Sequence, residues 1–356
     1  MVSCEGLGKG GVQSVIMDIV RNLSDKYCFD VLLFTDEIRY YDNEFLKYGN
    51  IYRVPNKSTR IDYYTRFFRI LTGTYKILKN GNYTVIHCHN SFESGICLLA
   101  ARLAGVKIRI AHFHTIADNR VNFVRKIIDS FYCFLITQFA TKKIACSEMA
   151  LTSFVKEDSN CKIIMNPIDL DKFNSEKYTD SRPKDGKIHF IHVGRFDDNK
   201  NQLFVIDTFC YIKKVITYAD LTLIGFGDEY KKRMKQRIKE NDIGDSVRLL
   251  PHNSDIPKLL ADSDYMIFPS ISEGLGIALL EAQAMGVKCF VSDAVPKEAD
   301  AGLCEFYDLN DGSRLWAEKI INSIQSVPRT KTCPDMHRFG LKNICGRYNE
   351  IYGLGE

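Results

Sequence analysis

Residues 269–281 read PSISEGLGIALLE and follow the apolar run Tyr265–Phe268, so two carboxylates, Glu273 and Glu281, bracket two glycines at a strand-to-helix turn. Glycines there free the backbone. The amides of Gly274, Leu275 and Gly276 then open a helix whose positive end suits a phosphate. Glu281 falls about one and a half turns into that helix, where a carboxylate can accept two hydrogen bonds from the vicinal hydroxyls of a ribose. Glu273, ahead of the helix, would face a sugar. The bland alternative, Glu273 capping the helix, leaves the glycines and the second acid unexplained.

A second loop, GRFDDNKN, leaves the strand-like segment IHFIHV and carries Arg195 and Lys200. An arginine binds a diphosphate by forked hydrogen bonds and a lysine as a point charge, so the two can converge on one such group; a solvated turn with unrelated charges is the alternative. A third loop, GLGKGGVQ at 6–13, also sits between a strand and a helix and satisfies G-x-G-x-x-G through Gly6, Gly8 and Gly11. With Asp36 after the next strand, it admits an NAD-dependent oxidoreductase as the rival function. His87 and His89 follow one predicted strand, and His112 and His114 the next. Alternating histidines invite a metal, but no third and fourth ligands are evident in the sequence, so none is expected. Of the four, His114 stands furthest into its loop and could reach a hydroxyl or a developing charge. The acid-x-acid pairs Asp169/Asp171 and Asp262/Asp264 have the spacing that holds a divalent ion but lie away from strand ends, and are set aside.

The elements that must position these loops alternate between short apolar runs and helix-length amphipathic segments. Strands are predicted at 1–4, 30–34, 84–88, 108–112, 143–145 and 162–165, and again at 189–193, 220–224, 246–250, 265–268 and 288–291. Helices are predicted at 14–23, 201–214, 229–241 and 276–285. This is the pattern of α/β domains with doubly wound parallel sheets. Two such domains fit 356 residues. The expected division is 1–170, a polar linker at 171–187, 188–330, and a C-terminal helical segment at 331–356 packing back toward the first domain. In such folds ligands bind beyond the carboxyl ends of the strands, here in a cleft between the domains.

Composition excludes several classes. With 45% hydrophobic and 26% charged residues the chain is neither disordered nor fibrous, and no apolar run is long enough to span a bilayer. The run 131–140 is expected to be a buried helix. No secretory signal is evident, and the twelve cysteines lack disulfide or zinc spacing, as in a reducing cytoplasm. A net charge of +4 is too mild for nucleic acid. It is uneven, with +5 in residues 1–180 and −1 in the remainder. Much of the excess lies in Arg53–Lys79, where basic residues interleave with aromatics at helical spacing, giving either a surface for an anionic membrane or a helix packed on its own sheet.

Together these segments resemble the retaining glycosyltransferases of family 4, which have the two-domain GT-B fold. The most specific part is EGLGIALLEAQAMG preceded by SDYMIFPS; next come HVGRFDDNKN and LIGFGDEY. GLGKGGVQ, RIAHFHT, ACSEMA and IIMNPIDLDKF are similar to segments of bacterial enzymes that build capsule and exopolysaccharide repeat units. The resemblance implies a nucleotide-sugar donor, a UDP-sugar favoured over GDP-mannose, held by the second domain without a metal. It implies that Arg195 and Lys200 neutralise the diphosphate, Glu281 binds the ribose, and Glu273 with the amides of Gly274, Leu275 and Gly276 contacts sugar and phosphates. Gly11 would approach the donor phosphate or the acceptor, His114 matches the family's cleft histidine, and Asn166 the residue near the hinge. The acceptor would be a lipid-linked saccharide met at the inner face of the cell membrane. Leu275 and Ala278 stand where the family commonly has Phe and Pro, which touches the sugar pocket; Pro167 replaces the usual glycine after Asn166.

Overall fold

The computed structural model describes residues 1–55, 60–117, 122–181, 183, 185–326 and 336–353. Contacts divide the chain into two units, Met1–Pro167 with Leu341–Glu356, and Ile168–Gly340. Each is an α/β unit on one parallel sheet.

In the first unit the strands are β1 (Val2–Cys4), β2 (Val31–Leu33), β3 (Ile51–Arg53), β4 (Val85–Cys88), β5 (Ile108–Phe113), β6 (Lys142–Ala145) and β7 (Cys161–Ile163), in the order β3-β2-β1-β4-β5-β6-β7. The helices between them are α1 (Gly11–Leu23), α2 (Asp42–Phe45), α3 (Arg60–Gly81), α4 (Ser94–Ala104), α5 (Phe123–Phe139) and α6 (Glu148–Phe154). Although β1 is only three residues long, it is central: Val2 pairs with Val31 on one side and His87 on the other. In the second unit β8 (Ile188–Val193), β9 (Ala219–Gly225), β10 (Val247–Pro251), β11 (Tyr265–Phe268), β12 (Lys288–Ser292) and β13 (Cys304–Tyr307) lie in the order β10-β9-β8-β11-β12-β13. Its helices are α7 (Gln202–Val215), α8 (Asp228–Glu240), α9 (Ile256–Ala261), α10 (Ile277–Ala284) and α11 (Gly312–Ser326). Phe190, Phe209, Leu221, Ile267, Phe290 and Trp316 fill the core beside this sheet.

Strand order reverses between β1 and β4 in one unit and between β8 and β11 in the other. Loops leaving two such strands diverge to opposite sides and open a crevice at the carboxyl edge, where ligands of doubly wound sheets bind. The loops at these reversals are 5–10 and 89–90 in the first unit, and 194–201 and 269–276 in the second.

The final helix, α12 (Leu341–Tyr352), belongs to the first unit. Ile344, Tyr348, Ile351 and Tyr352 are buried, Tyr27 Oη donates to Asn349 Oδ1 at 2.9 Å, and Arg347 Nη2 donates to Ile163 O at 2.7 Å. The expected linker 171–187 falls within the second unit and holds a single 3-10 stretch, Ser175–Ser181; residues 182 and 184, and 331–335 and 354–356 of the expected C-terminal segment, lie outside the described residues. Eleven cysteines are free thiols, and Cys333 lies outside the described residues.

Three local expectations change. β3 and β13 carry no apolar run, because half-buried edge strands tolerate alternating polarity, and they escape a search for buried strands. His87 and His112 lie within β4 and β5, inside the strands predicted at 84–88 and 108–112, so of the four histidines only His89 and His114 follow a strand. The stretch 131–140 is helical but not buried: α5 sinks Leu135 and Ile136 and leaves Phe131 and Phe134 about half exposed at 47% and 56%.

Candidate active site

Two loops meet at the strand reversal of the second unit. Lys200 Nζ forms an ion pair with Glu273 Oε1, joining the loop after β8 to the loop after β11. Asn199 ties the same loops twice, its Nδ2 donating to Ser272 O at 2.8 Å and its carbonyl accepting from Ile271 N at 2.8 Å. Lys200 Nζ also stands 5.5 Å from the centre of the Phe268 ring, a cation–π position. Arg195 is exposed and paired with Asp197 at 2.5 Å. Exposed pairs of this kind are weak, so the guanidinium remains free to exchange Asp197 for an anionic ligand.

Behind the loop stands a network that no motif announced. Buried His192, near the end of β8, donates from Nδ1 to Ile267 O at 2.9 Å and faces Gln202 Nε2 at 3.2 Å. Gln202 also donates to Arg195 O at 2.8 Å and accepts from Asp197 N at 3.3 Å. Burial holds the His192 imidazole neutral, its pKa down at about 4, so Nδ1 carries the proton and Nε2 accepts from Gln202. In the sequence these are only a histidine and a glutamine ten residues apart, and nothing in that spacing marks a network. Gly225 completes the packing, since a Cβ there would lie 2.0 Å from Gly194 O.

α10 begins at Gly276, whose φ of 88° lies in the left-handed region, and no side chain caps the helix. Glu273 is therefore not its cap; it is buried, at 8% exposure, against Lys200. A helix start with no side-chain cap presents polar backbone of the kind that suits an anion. Glu281 lies half-buried at the fifth position of α10.

In the first unit Gly11 is exposed and starts α1, which likewise has no side-chain cap at Gly10. His114 is buried, and both ring nitrogens are engaged: Nε2 with His89 Nδ1 at 2.7 Å and Nδ1 with Asn166 Oδ1 at 3.4 Å. Burial lowers its pKa to about 4, with the Asn166 hydrogen bond opposing the shift. As placed, neither nitrogen is free for a hydroxyl, contrary to the position expected from its place in the loop; contact with substrate requires one of these hydrogen bonds to exchange. The acid-x-acid pairs serve turns. Asp169 Oδ1 accepts from Asp171 N and Lys172 N, Asp262 pairs with Lys258 at 2.8 Å, and Asp264 Oδ2 accepts from His189 N at 2.9 Å.

Two family models cover most of the chain: Glycosyltransferase Family 4 matches residues 9–172 and Glycosyl transferases group 1 matches residues 174–301. The chain is 30% identical over 333 residues to the putative glycosyltransferase EpsF of Bacillus subtilis strain 168, covering 88% of this chain and 85% of that protein. It belongs to glycosyltransferase family 4.

Another relative of this family 4 enzyme is the Escherichia coli UDP-Gal:alpha-D-GlcNAc-diphosphoundecaprenol alpha-1,3-galactosyltransferase, 28% identical over 284 residues and covering 73% of each chain. Anabaena HepE, solved with UDP and glucose, superposes with a TM-score of 0.80 over 98% of this chain and 97% of its own at 18% identity, and so shares the GT-B fold. Family membership displaces the oxidoreductase alternative, and the glycines of 6–11 become a loop of a glycosyltransferase.

The basic region of this glycosyltransferase is less available than its sequence implied. Lys57 and the side chains of Arg60, Asp62, Tyr63 and Tyr64 lie outside the described residues; in the remainder of α3, Arg66 pairs with Glu93 at 2.5 Å and Arg69 Nη1 donates to Pro55 O at 2.6 Å. α3, α4 and α5 pack side by side, and Phe67 of α3 meets Phe131 of α5. Beside that contact, Phe68, Phe123, Val124, Ile127, Phe131 and Phe134 are all exposed. No helix among the described residues is long and apolar enough to cross a membrane.

Proposed function

We propose that this enzyme moves a hexose or N-acetylhexosamine from a nucleotide-diphosphate sugar, with a UDP-sugar as the favoured donor, to a lipid-linked saccharide, with retention of anomeric configuration, in the assembly of a surface polysaccharide. The observation that carries the reading is the Lys200–Glu273 pair beside exposed Arg195 and the glycine-opened start of α10. Breaking the anomeric C–O bond builds positive charge on the sugar and negative charge on the departing diphosphate. Stabilising that separation is chiefly electrostatic. Lys200, Arg195 and the amides of Gly274, Leu275 and Gly276 supply the field for the diphosphate; Glu281 takes the ribose hydroxyls and Glu273 orients Lys200 and faces the sugar. No divalent ion is assigned to the diphosphate in this reading.

A lipid-linked acceptor is supported by the relative named for a diphosphoundecaprenol substrate and by the apolar stripe of α5 bordered by basic α3. Such a surface suits peripheral contact with an anionic membrane at its cytoplasmic face. Thermal unfolding with UDP-glucose, UDP-galactose, their N-acetylamino counterparts, GDP-mannose and NAD tests the donor: a UDP-sugar is expected to raise the transition. A shift with NAD and with no sugar nucleotide would overturn the proposal. Anomeric analysis of the product by NMR tests retention, and an inverted linkage rejects it.

A further inference from the structure

β4 pairs with β5 so that His87 lies opposite Ile110 and Cys88 opposite Ala111. Side chains alternate across a sheet, so this register puts both His-x-His pairs on one face, and four imidazoles stack there. We propose that His87, His89 and His112 form a site for one divalent transition-metal ion, zinc by ligand chemistry, in the first unit.

Three observations carry the assignment. Each of the three histidines offers a ring nitrogen within 4.8 Å of the others, and all three side chains are buried. His87 Nε2 and His112 Nδ1 are 3.0 Å apart, close to the separation of about 3.3 Å between two nitrogens on one tetrahedral zinc.

The outer nitrogens of His87 and His89 are anchored as metal-bound imidazoles usually are. His87 Nδ1 meets Tyr352 Oη at 2.6 Å; His89 Nδ1 meets His114 Nε2 at 2.7 Å, and His114 Nδ1 meets Asn166 Oδ1 at 3.4 Å. The last chain fixes a tautomer. Asn166 Oδ1 accepts from His114 Nδ1, so His114 Nε2 accepts from His89 Nδ1, and His89 Nε2 is left with its lone pair.

That atom is buried without a hydrogen-bond partner, a costly state for a ring nitrogen unless something binds there. Three neutral imidazoles favour zinc, copper or nickel over magnesium or manganese and leave a fourth position for water or hydroxide. The sequence showed two possible ligands on each of two segments; pairing of neighbouring strands supplies the third.

The test uses the full chain purified without a metal-affinity step or chelator. Elemental analysis by mass spectrometry is expected to find about one transition-metal ion per chain. Protein unfolded in EDTA and refolded with zinc should melt several degrees higher than protein refolded without it. Refolding with cobalt should give the intense visible bands of a four-coordinate site. His89→Gln and His112→Gln should each lower metal affinity at least about tenfold, while His252→Gln in the second unit retains it. If a variant fails to fold, the wild-type metal content and refolding shift decide alone. A metal-free wild type whose refolding ignores zinc overturns the proposal, leaving a bound water to satisfy His89 Nε2; so does an ion retained equally by both variants.

Discussion

Lys200→Met removes the cation that joins the two loops of the proposed donor site, and its cost can be worked from burial. The side chains of Lys200 and Glu273 are 22% and 9% exposed. Taking away one partner of a buried pair costs about 3–5 kcal/mol because the other charge is stranded, and the part-exposed lysine puts the value near the lower end, about 3 kcal/mol. Adding Glu273→Gln removes the stranded charge, so the double variant should regain about 2 kcal/mol of that loss. Trp316 is the single tryptophan of the chain and is fully buried in the second unit, so its fluorescence during urea unfolding reports this unit. Wild type, both single variants and the double variant complete a cycle. If Lys200→Met unfolds within about 0.5 kcal/mol of wild type, or if the two changes simply add, the pair is not a buried ion pair and the reasoning fails. In turnover, the same variant should be about a hundredfold slower.

Glu281→Ala should abolish binding of the UDP-sugar by calorimetry with the Trp316 transition unmoved; unchanged affinity removes the ribose assignment. The His192 pKa, about 4 when folded against an ordinary 6.5, means the unfolded chain takes up more protons between those values. Its contribution is therefore complete above about pH 6.5 and is lost as pH falls toward 4, costing the second unit about 2 kcal/mol between pH 7 and 5. His192→Gln should flatten the acid side of the stability profile by that amount, and an unaltered slope refutes the neutral imidazole. Ile127→Glu with Phe131→Glu should release the protein from anionic vesicles in a sedimentation assay with its circular dichroism intact; undiminished binding excludes α5 as the contact. Added Mg2+ or Mn2+ should leave the transfer rate unchanged, and a requirement for either would place an ion on the diphosphate.

The strand–loop–helix passage after β11 was legible because its pattern is local. Glu273, Gly274, Gly276 and Glu281 fall within one strand–loop–helix passage, where spacing alone fixes which residues precede the helix and which lie inside it. The direct pairing of Lys200 with Glu273 was not expected: the sequence brings Arg195 and Lys200 together on a diphosphate and turns Glu273 to the sugar, and only the adjacency of β8 and β11 sets the lysine against the carboxylate. His192 and Gln202 were missed because their function is a buried hydrogen-bond network whose partners are main-chain atoms, which leave no trace in residue types. His114 is the opposite case. Its place at the end of a strand suggested reach, but His89 and Asn166 enclose it, and neither contact follows from periodicity. α5 was misread because an apolar run tells that a helix has greasy faces, not how many of them meet protein.

The lodging of α12 in the first unit has a consequence for how the polypeptide acquires its shape. Tyr348 and Tyr352 close over the histidine rings of β4 and β5, so the earlier part of the chain emerges from the ribosome with its interior unroofed and waits for some 170 further residues before the last helix arrives. A truncation after Gly340 would leave an intact second unit tethered to an unfinished first one, and Tyr27, Phe29 and the imidazoles would be the surfaces through which such a product aggregates.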